Sequence, residues 1–197
     1  MNYLAHAWLS FGDPDILTGN LISDFVKGKK KFDYPKPIQN GITLHRLIDD
    51  YTDHHPATAE AKQILKPSAG AYAGSFIDIV YDHFLANDLH EFETDTDLAN
   101  FAAKTYDQLD TRKALLPDNF EKFFFYMRRQ NWLFNYRFTE GIHRSFQGLA
   151  HRAKYMDNAE PVFQAFLDEY EPLRNCYELF FPAVKAFAYN ELLYLRV

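Results

Sequence analysis

Apolar residues recur at three- and four-residue intervals along almost the whole chain, as at Ile38, Ile42, Leu44, Leu47, Ile48 and Tyr51, and strictly alternating stretches are scarce. That period predicts an all-α fold, a helical bundle of about eight helices. Proline and glycine set the breaks, at Gly12-Asp13-Pro14, from Gly28 to Pro37, at His55-Pro56, from Pro67 to Gly74, near Pro117 and near Pro182. Helices are expected over 3–11, 14–27, 37–54, 56–66, 71–88, 97–111, 118–134 and 139–152, then over a long stretch from 159 that is kinked or broken at Pro182. No internal repeat is visible. The longest irregular candidate is about ten residues around Lys27-Gly28-Lys29-Lys30-Lys31, too short for an interdomain linker. Residues 1–197 therefore read as a single helical domain.

Composition narrows the picture. At 47% hydrophobic and 17% aromatic the chain can bury a sizeable core and does not read as a disordered tail. The run from Phe123 to Phe134 is dense in aromatics and is expected to be a core helix with a wet edge. A net charge of −6 gives no sequence-wide footprint for phosphate backbones, so nucleic-acid binding is disfavoured. No run of 18 apolar residues and no basic leader is present, so a membrane span is not indicated and the cytoplasm is the expected location. The single Cys176 excludes an intramolecular disulfide framework and a zinc site built from clustered thiolates. The signatures G-x-G-x-x-G, G-x-x-x-x-G-K-[ST], G-x-S-x-G and H-E-x-x-H are all missing.

Candidate chemistry gathers in the first 90 residues. His45 and Asp49 are four residues apart, so their side chains leave one helix face about 40° apart. Asp78 and Asp82 repeat that spacing, His83 follows about 100° further round, and Asn20 with Asp24 makes a third such pair. Each pair sits among core-type residues, such as Leu44 and Ile48, Ile79 and Val80, or Leu21 and Ile22. Carboxylates gathered at the interior of a bundle repel one another unless a cation or shared proton compensates, and a divalent metal is the most economical compensation. Imidazole plus carboxylate without thiolate suits Mn²⁺, Mg²⁺ or Fe²⁺, with zinc as a further option. His6, in an apolar helix, reads equally as a buried hydrogen-bonded histidine or as a member of the site. Asp53 either lines the site or caps a helix end, and His54 and His55 read as exposed.

These motifs resemble a known family, the acyl carrier protein phosphodiesterases, which are relatives of the HD-type metal phosphohydrolases. The likeness rests on Met1-Asn2-Tyr3-Leu4-Ala5-His6, on Gly19-Asn20-Leu21-Ile22-Ser23-Asp24-Phe25-Val26-Lys27-Gly28, on Gly41-Ile42 leading into Leu44-His45-Arg46-Leu47-Ile48-Asp49 with Thr52-Asp53 and Pro56, and on Ile77 to Ala86 with Asp82-His83-Phe84-Leu85. The resemblance implies an HD-like bundle that hydrolyses the phosphodiester joining 4′-phosphopantetheine to a serine of holo acyl carrier protein with a divalent metal, commonly Mn²⁺. On that basis His45, Asp49, Asp82 and His83 are the expected metal ligands. Asp24 is the expected general base, with Arg46 or Asn20 holding the phosphate.

Acyl carrier protein is then the expected partner, and the basic strip of Lys27, Lys29, Lys30 and Lys31 would steer so acidic a molecule. The alternatives are a metal phosphohydrolase acting on nucleotides or other small phosphodiesters, and a non-catalytic helical binding protein whose acid and histidine pairs are satisfied structurally.

Overall fold

A computed structural model describes residues 1–196 of the chain. It holds eleven α-helices and no strand among the described residues. They are α1 (Tyr3–Trp8), α2 (Pro14–Ile22), α3 (Lys36–His54), α4 (Pro56–Ala69), α5 (Ala73–Ala86), α6 (Asp95–Asp110), α7 (Asp118–Arg129), α8 (Trp132–Asn135), α9 (Thr139–Arg152), α10 (Glu160–Asp168) and α11 (Tyr170–Leu195). The expected all-α class is what the chain adopts.

Local chemistry explains the starts. Asp13 accepts the amides of Asp15 and Ile16, and Pro14 opens α2 at a position whose missing N–H costs nothing. His55 does the same for α4, accepting the Ala57 amide through Nδ1 ahead of Pro56, so this histidine is half-buried and not simply exposed. Thr94 and Asp97 close a reciprocal capping box at the start of α6.

Some ends differ from expectation. α4 runs through Pro67 to Ala69 and stops only where Gly70 turns to a positive φ of 56°. α11 likewise runs through Pro182; the break in the C-terminal stretch falls at Glu169 instead. A proline removes one N–H, and buried neighbours on both sides, Phe180, Phe181 and Val184, hold the helix together across that gap. The aromatic run is two helices, not one, because Asn131 adopts a left-handed conformation at φ 48° between α7 and α8. Its inner face buries Phe120, Phe124, Met127 and Leu133, while Phe125 and Tyr126 face solvent, which gives the wet edge expected.

Every residue of α5 from Ile79 to Ala86 is buried, and α1, α4, α9 and α11 pack around this helix. The buried side chains form one continuous cluster from Met1 to Leu192. The closest helix crossing is α2 on α3. A Cβ at Gly19 would stand 2.1 Å from the Ile38 carbonyl oxygen, and one at Gly41 would stand 2.3 Å from that of Ile16. Only glycine fits at both positions, and this close approach sets α2 directly against α3, the helix that carries His45 and Asp49.

Candidate functional site

Histidines from two helices and a carboxylate meet where α1, α2 and α3 converge. His6, His45 and Asp49 each offer a ligand atom, and these atoms all lie within 4.8 Å of one another. The two rings stack at a centroid separation of 3.9 Å and 17° between planes. His6 Nε2 is 3.1 Å from Asp49 Oδ1, and His45 Nε2 is 3.0 Å from Asp49 Oδ2 and 3.3 Å from Asp24 Oδ1. Asp24, on a 3₁₀ turn (Ser23–Phe25) after α2, keeps its side chain 68% exposed while reaching His45, so it forms the rim of the cluster.

Asn20 fixes the tautomer of His6. Its Nδ2 donates to the His6 carbonyl oxygen at 2.8 Å and lies 3.2 Å from Ser10 Oγ, which leaves Oδ1 facing His6 Nδ1 at 2.8 Å. Network logic therefore assigns the ring proton to Nδ1 and the lone pair to Nε2. Burial, with His45 as a second cause, holds the His6 pKa below the ordinary histidine value, so the ring stays neutral. A lone pair then faces a carboxylate oxygen across 3.1 Å, an arrangement that a shared cation resolves.

His45 supplies a second observation of the same kind. Its ring is buried, neither nitrogen closes a hydrogen bond of acceptable direction, and among the described residues no other buried side-chain nitrogen or oxygen is so left. Burial lowers its pKa, but Asp24 and Asp49 outweigh it and lift the value to about 9. The same charges hold Asp24 below the usual carboxylate range, chiefly through His45. Asp49 is also held below that range: burial pushes upward, and His6 and His45 overcome it. Two imidazoles and a carboxylate without sulfur form a donor set that fits a borderline or hard divalent metal.

The other expected ligands are engaged elsewhere. Asp82 is fully buried, and its carboxylate receives the amides of Leu4 at 2.7 Å, Ala5 at 3.2 Å and Asn2 at 3.3 Å, which caps the start of α1. Burial nevertheless pushes its pKa up to about 7 against those donors. Burying a lone carboxylate costs several kcal/mol, and amide bonds to a charged group return about 1.5–3 kcal/mol each, so the three amides offset only part of that cost. Asp82 thus positions the helix that presents His6. His83 is turned away, with Nδ1 at 2.7 Å from the Tyr136 carbonyl oxygen and Nε2 at 2.9 Å from the Tyr170 hydroxyl, so both ring nitrogens are occupied. Neither residue joins the cluster, because adjacent positions on α5 point to opposite packing partners.

Arg46, one step along α3 from His45, faces solvent and donates to the Val26 carbonyl at 2.9 Å. Asn20 is consumed by His6. Neither is placed to grip a phosphate at the cluster. Asp78 Oδ1 is 3.1 Å from the Met1 amino nitrogen, which also lies 3.4 Å from Asp49 Oδ1. Asp53 pairs with Lys62 in solvent. Lys27, Lys29 and Lys30 are exposed at and within the 3₁₀ segment Gly28–Asp33, and Lys31 reaches Thr43 Oγ1 at 3.2 Å.

Beside Asp24 opens a cleft of about 630 Å³, lined among others by Tyr3, Phe123, Trp132, Tyr136, Arg144 and Arg152. Asp24 faces this space on one side and His45 on the other, so cleft and cluster meet at that carboxylate. Sequence reasoning left His6 undecided and missed the cleft. The available signal for His6 was a lone polar side chain inside Tyr3-Leu4-Ala5-His6-Ala7-Trp8-Leu9.

The family described as acyl carrier protein phosphodiesterase matches this chain over residues 1–184. Relatives bearing the name "Acyl carrier protein phosphodiesterase" include that of Enterobacter sp. (strain 638), 31% identical over 196 residues, and that of Klebsiella pneumoniae (strain 342), also 31% identical over 196 residues. The protein of Escherichia coli O139:H28 is 30% identical over 196 residues. Each alignment covers 98% of this chain and the whole of the relative. No solved structure matches the chain. Among the described residues no helix is long and apolar enough to cross a membrane.

Proposed function

The chain belongs to the acyl carrier protein phosphodiesterase family, and from that premise we propose that it hydrolyses the phosphodiester linking 4′-phosphopantetheine to a serine of holo acyl carrier protein. Water adds to phosphorus, the bond from phosphorus to the serine oxygen breaks, and the serine oxygen takes up a proton. The products are apo acyl carrier protein and 4′-phosphopantetheine. In this reading residues 1–197 form one helical phosphodiesterase domain of HD-like kinship, supported by a histidine and aspartate set at the heart of an all-α bundle.

The observation that carries the proposal is the apposition of His6 Nε2 and Asp49 Oδ1 at 3.1 Å beside the unsatisfied ring of His45. His6, His45 and Asp49 would hold a divalent cation, with Mn²⁺ first and Mg²⁺ or Fe²⁺ as alternatives. Such a cation, when bound, lowers the pKa of water and offsets charge on phosphoryl oxygens. Asp24 acts as the general base: its pKa is depressed, so it is ionised, and its exposed carboxylate at the cluster rim meets water entering from the cleft. Asn20 keeps the His6 lone pair pointed inward, and Asp82 holds the helix that carries it.

The exposed lysines after Asp24 supply positive charge on an otherwise acidic chain and would orient an acidic carrier protein, raising its association rate. Replacing Lys29, Lys30 and Lys31 together by Ala is expected to slow turnover at low salt and to matter little once the Debye length shrinks to about 3 Å near 1 M salt. Incubation of the protein and Mn²⁺ with holo acyl carrier protein, followed by intact mass, tests the whole proposal. Loss of the prosthetic group and appearance of free 4′-phosphopantetheine is the expected result, and unchanged holo protein would refute it.

A further inference from the structure

The cleft beside Asp24 carries two arginines that the chain itself leaves unused. Arg144 and Arg152 both lie on α9, eight residues and therefore about 80° apart around the helix. Among the described residues neither has a carboxylate within ion-pairing distance and neither makes a side-chain hydrogen bond, whereas Arg128 and Arg137 are paired with Asp107, Asp110 and Asp95. Between the two guanidinium groups the helix offers Gly148, whose missing side chain would meet only Arg152 Nη1 at 3.9 Å, so the floor of the cleft is open there.

The facing wall is aromatic. Tyr3, Phe123 and Trp132 form a connected row, with centroids 4.9 Å apart for Tyr3 and Phe123 and 5.0 Å for Phe123 and Trp132. Asn135, Gln130 and Ser145 add amide and hydroxyl groups to the lining. Tyr3 links the two ends. Burial and the Asp24 carboxylate push its hydroxyl pKa up, and the charge of Arg152 opposes them, so both charges act on this ring in the cleft they share.

We propose that this cleft is the binding site for the detachable arm of the substrate, with Arg144 and Arg152 taking its phosphate and the Tyr3, Phe123 and Trp132 wall taking its extended amide chain. The inference rests on the proposed function for the identity of the arm, and on the cleft alone for its chemistry. Guanidinium groups match a phosphate's oxygens, and two of them beside a carboxylate-rich cluster select an anion that the cluster by itself would repel. A volume of about 630 Å³ falls in the range of roughly 300–1,000 Å³ typical of small-molecule sites. Flat aromatic faces and scattered amide partners suit a thin chain of amides and methylenes.

The test is titration of the Mn²⁺-loaded protein with 4′-phosphopantetheine, followed by tryptophan fluorescence and calorimetry. Trp132 lines the cleft, whereas Trp8, the other tryptophan, is held by Glu91 on another face. The wild-type protein is expected to bind with a fluorescence change that Trp132→Phe abolishes. Pantetheine lacking the phosphate is expected to bind at least tenfold more weakly, and Arg144→Ala with Arg152→Ala together to weaken 4′-phosphopantetheine at least about tenfold and erase that preference. Gly148→Leu, which leaves both arginines in place and fills the floor, is expected to block binding. Both arginines are exposed, and thermal melts verify that the variants fold.

Binding within twofold of wild type in the double arginine variant and in Gly148→Leu would overturn the assignment. Turnover of holo acyl carrier protein separates this failure from failure of the functional reading. Hydrolysis by the wild type with an unchanged KM in the arginine variant sinks the cleft and leaves the function standing. Arginine-dependent binding of 4′-phosphopantetheine without hydrolysis supports the cleft and removes the function.

Discussion

His6 and His45 lie face to face, 3.9 Å between ring centroids, although one belongs to a six-residue helix and the other to the middle of α3. Two imidazolium charges at about 4 Å repel by about 4 kcal/mol at an effective dielectric constant near 20, so only one ring takes the second proton and becomes charged. The neutral ring is His6, whose Nδ1 proton is held by Asn20, and the charged one is His45 between Asp24 and Asp49. The stack therefore works as a socket with one positive charge inside, which a divalent ion can replace.

Ligand removal tests that socket directly. His45→Ala is expected to purify with less than a tenth of the wild-type metal and to lose at least ~100-fold in hydrolysis, since the activated water goes with the ion. Asn20→Ala, which frees the His6 tautomer without touching a ligand, is expected to weaken metal binding by about 10–100-fold. Metal analysis and intact-mass assays read both, and wild-type metal content in His45→Ala would exclude this donor set.

Asp82 should behave differently from a ligand. Asp82→Ala strands the amides of Leu4 and Ala5 in the core and frees the start of α1, at an expected cost of about 2–4 kcal/mol. For a chain of this size that is a fall of about 5–15 °C in melting temperature. The comparison is made on metal-free protein, so that loss of a bound ion cannot account for the lower melting temperature. An Asp82→Ala protein that melts like wild type and has lost only its metal would place this carboxylate among the ligands.

Glycine contacts decide whether the site assembles. Gly19→Ala puts a methyl group 2.1 Å from the Ile38 carbonyl oxygen and Gly41→Ala one at 2.3 Å from that of Ile16, clashes that only separation of α2 and α3 relieves. Each is expected to destabilise by ~3 kcal/mol or more. Gly74→Ala, where the nearest atom is the flexible Lys62 Cε at 3.4 Å, is expected to stay within about 1 kcal/mol of wild type. Denaturant midpoints of the three variants make the comparison, and a Gly19→Ala protein as stable as wild type would mean that this crossing is looser than described.

The proton on His45 sets a pH dependence. Its pKa in the folded chain is about 9 against an ordinary value of 6.5, so the folded state holds the proton more tightly than the unfolded one. The stabilisation is complete below pH 6.5 and is lost as pH rises through about 9. Chelated protein should thus lose stability between those limits, and His45→Gln should flatten the decline below about pH 8, above which the Met1 amino group, raised from 8.0 to about 10, adds a loss of its own. Metal binding displaces the same proton, so its affinity should climb over this interval. Metal affinity that is flat with pH would show that His45 is not displaced by the ion.

Much of the fold was legible because it depends on short-range pattern. The 3.6-residue period, Asp13-Pro14 and His55-Pro56 mark helices that start where expected, although the first ends at Ile22 and not at 27, and the second runs on to Ala69 past the expected 66. What stayed hidden depends on packing across the chain. Pro67 and Pro182 look like stops, yet tertiary burial carries both helices through them. At the site, His45, Asp49 and Asp24 were readable from helical spacing on apolar segments. Asp82 and His83 have the same local signature but spend it on α1 and on Tyr136 and Tyr170, a choice fixed by neighbours far away in sequence. Arg144 and Arg152 were invisible for a related reason: an exposed arginine on an amphipathic helix looks like any other until an aromatic wall stands across from it.

Consecutive residues of α5 hold opposite parts of the chain. Asp82 clasps the amides of residues 2, 4 and 5, and His83 clasps Tyr136 and Tyr170. Melting of either clasp would expose a buried polar group at the next position along the same helix, so the first and last thirds of the molecule have no inexpensive way to open separately. Unfolding should then be all-or-none, with equal calorimetric and van't Hoff enthalpies, and amide exchange at His6 should proceed only through the global transition.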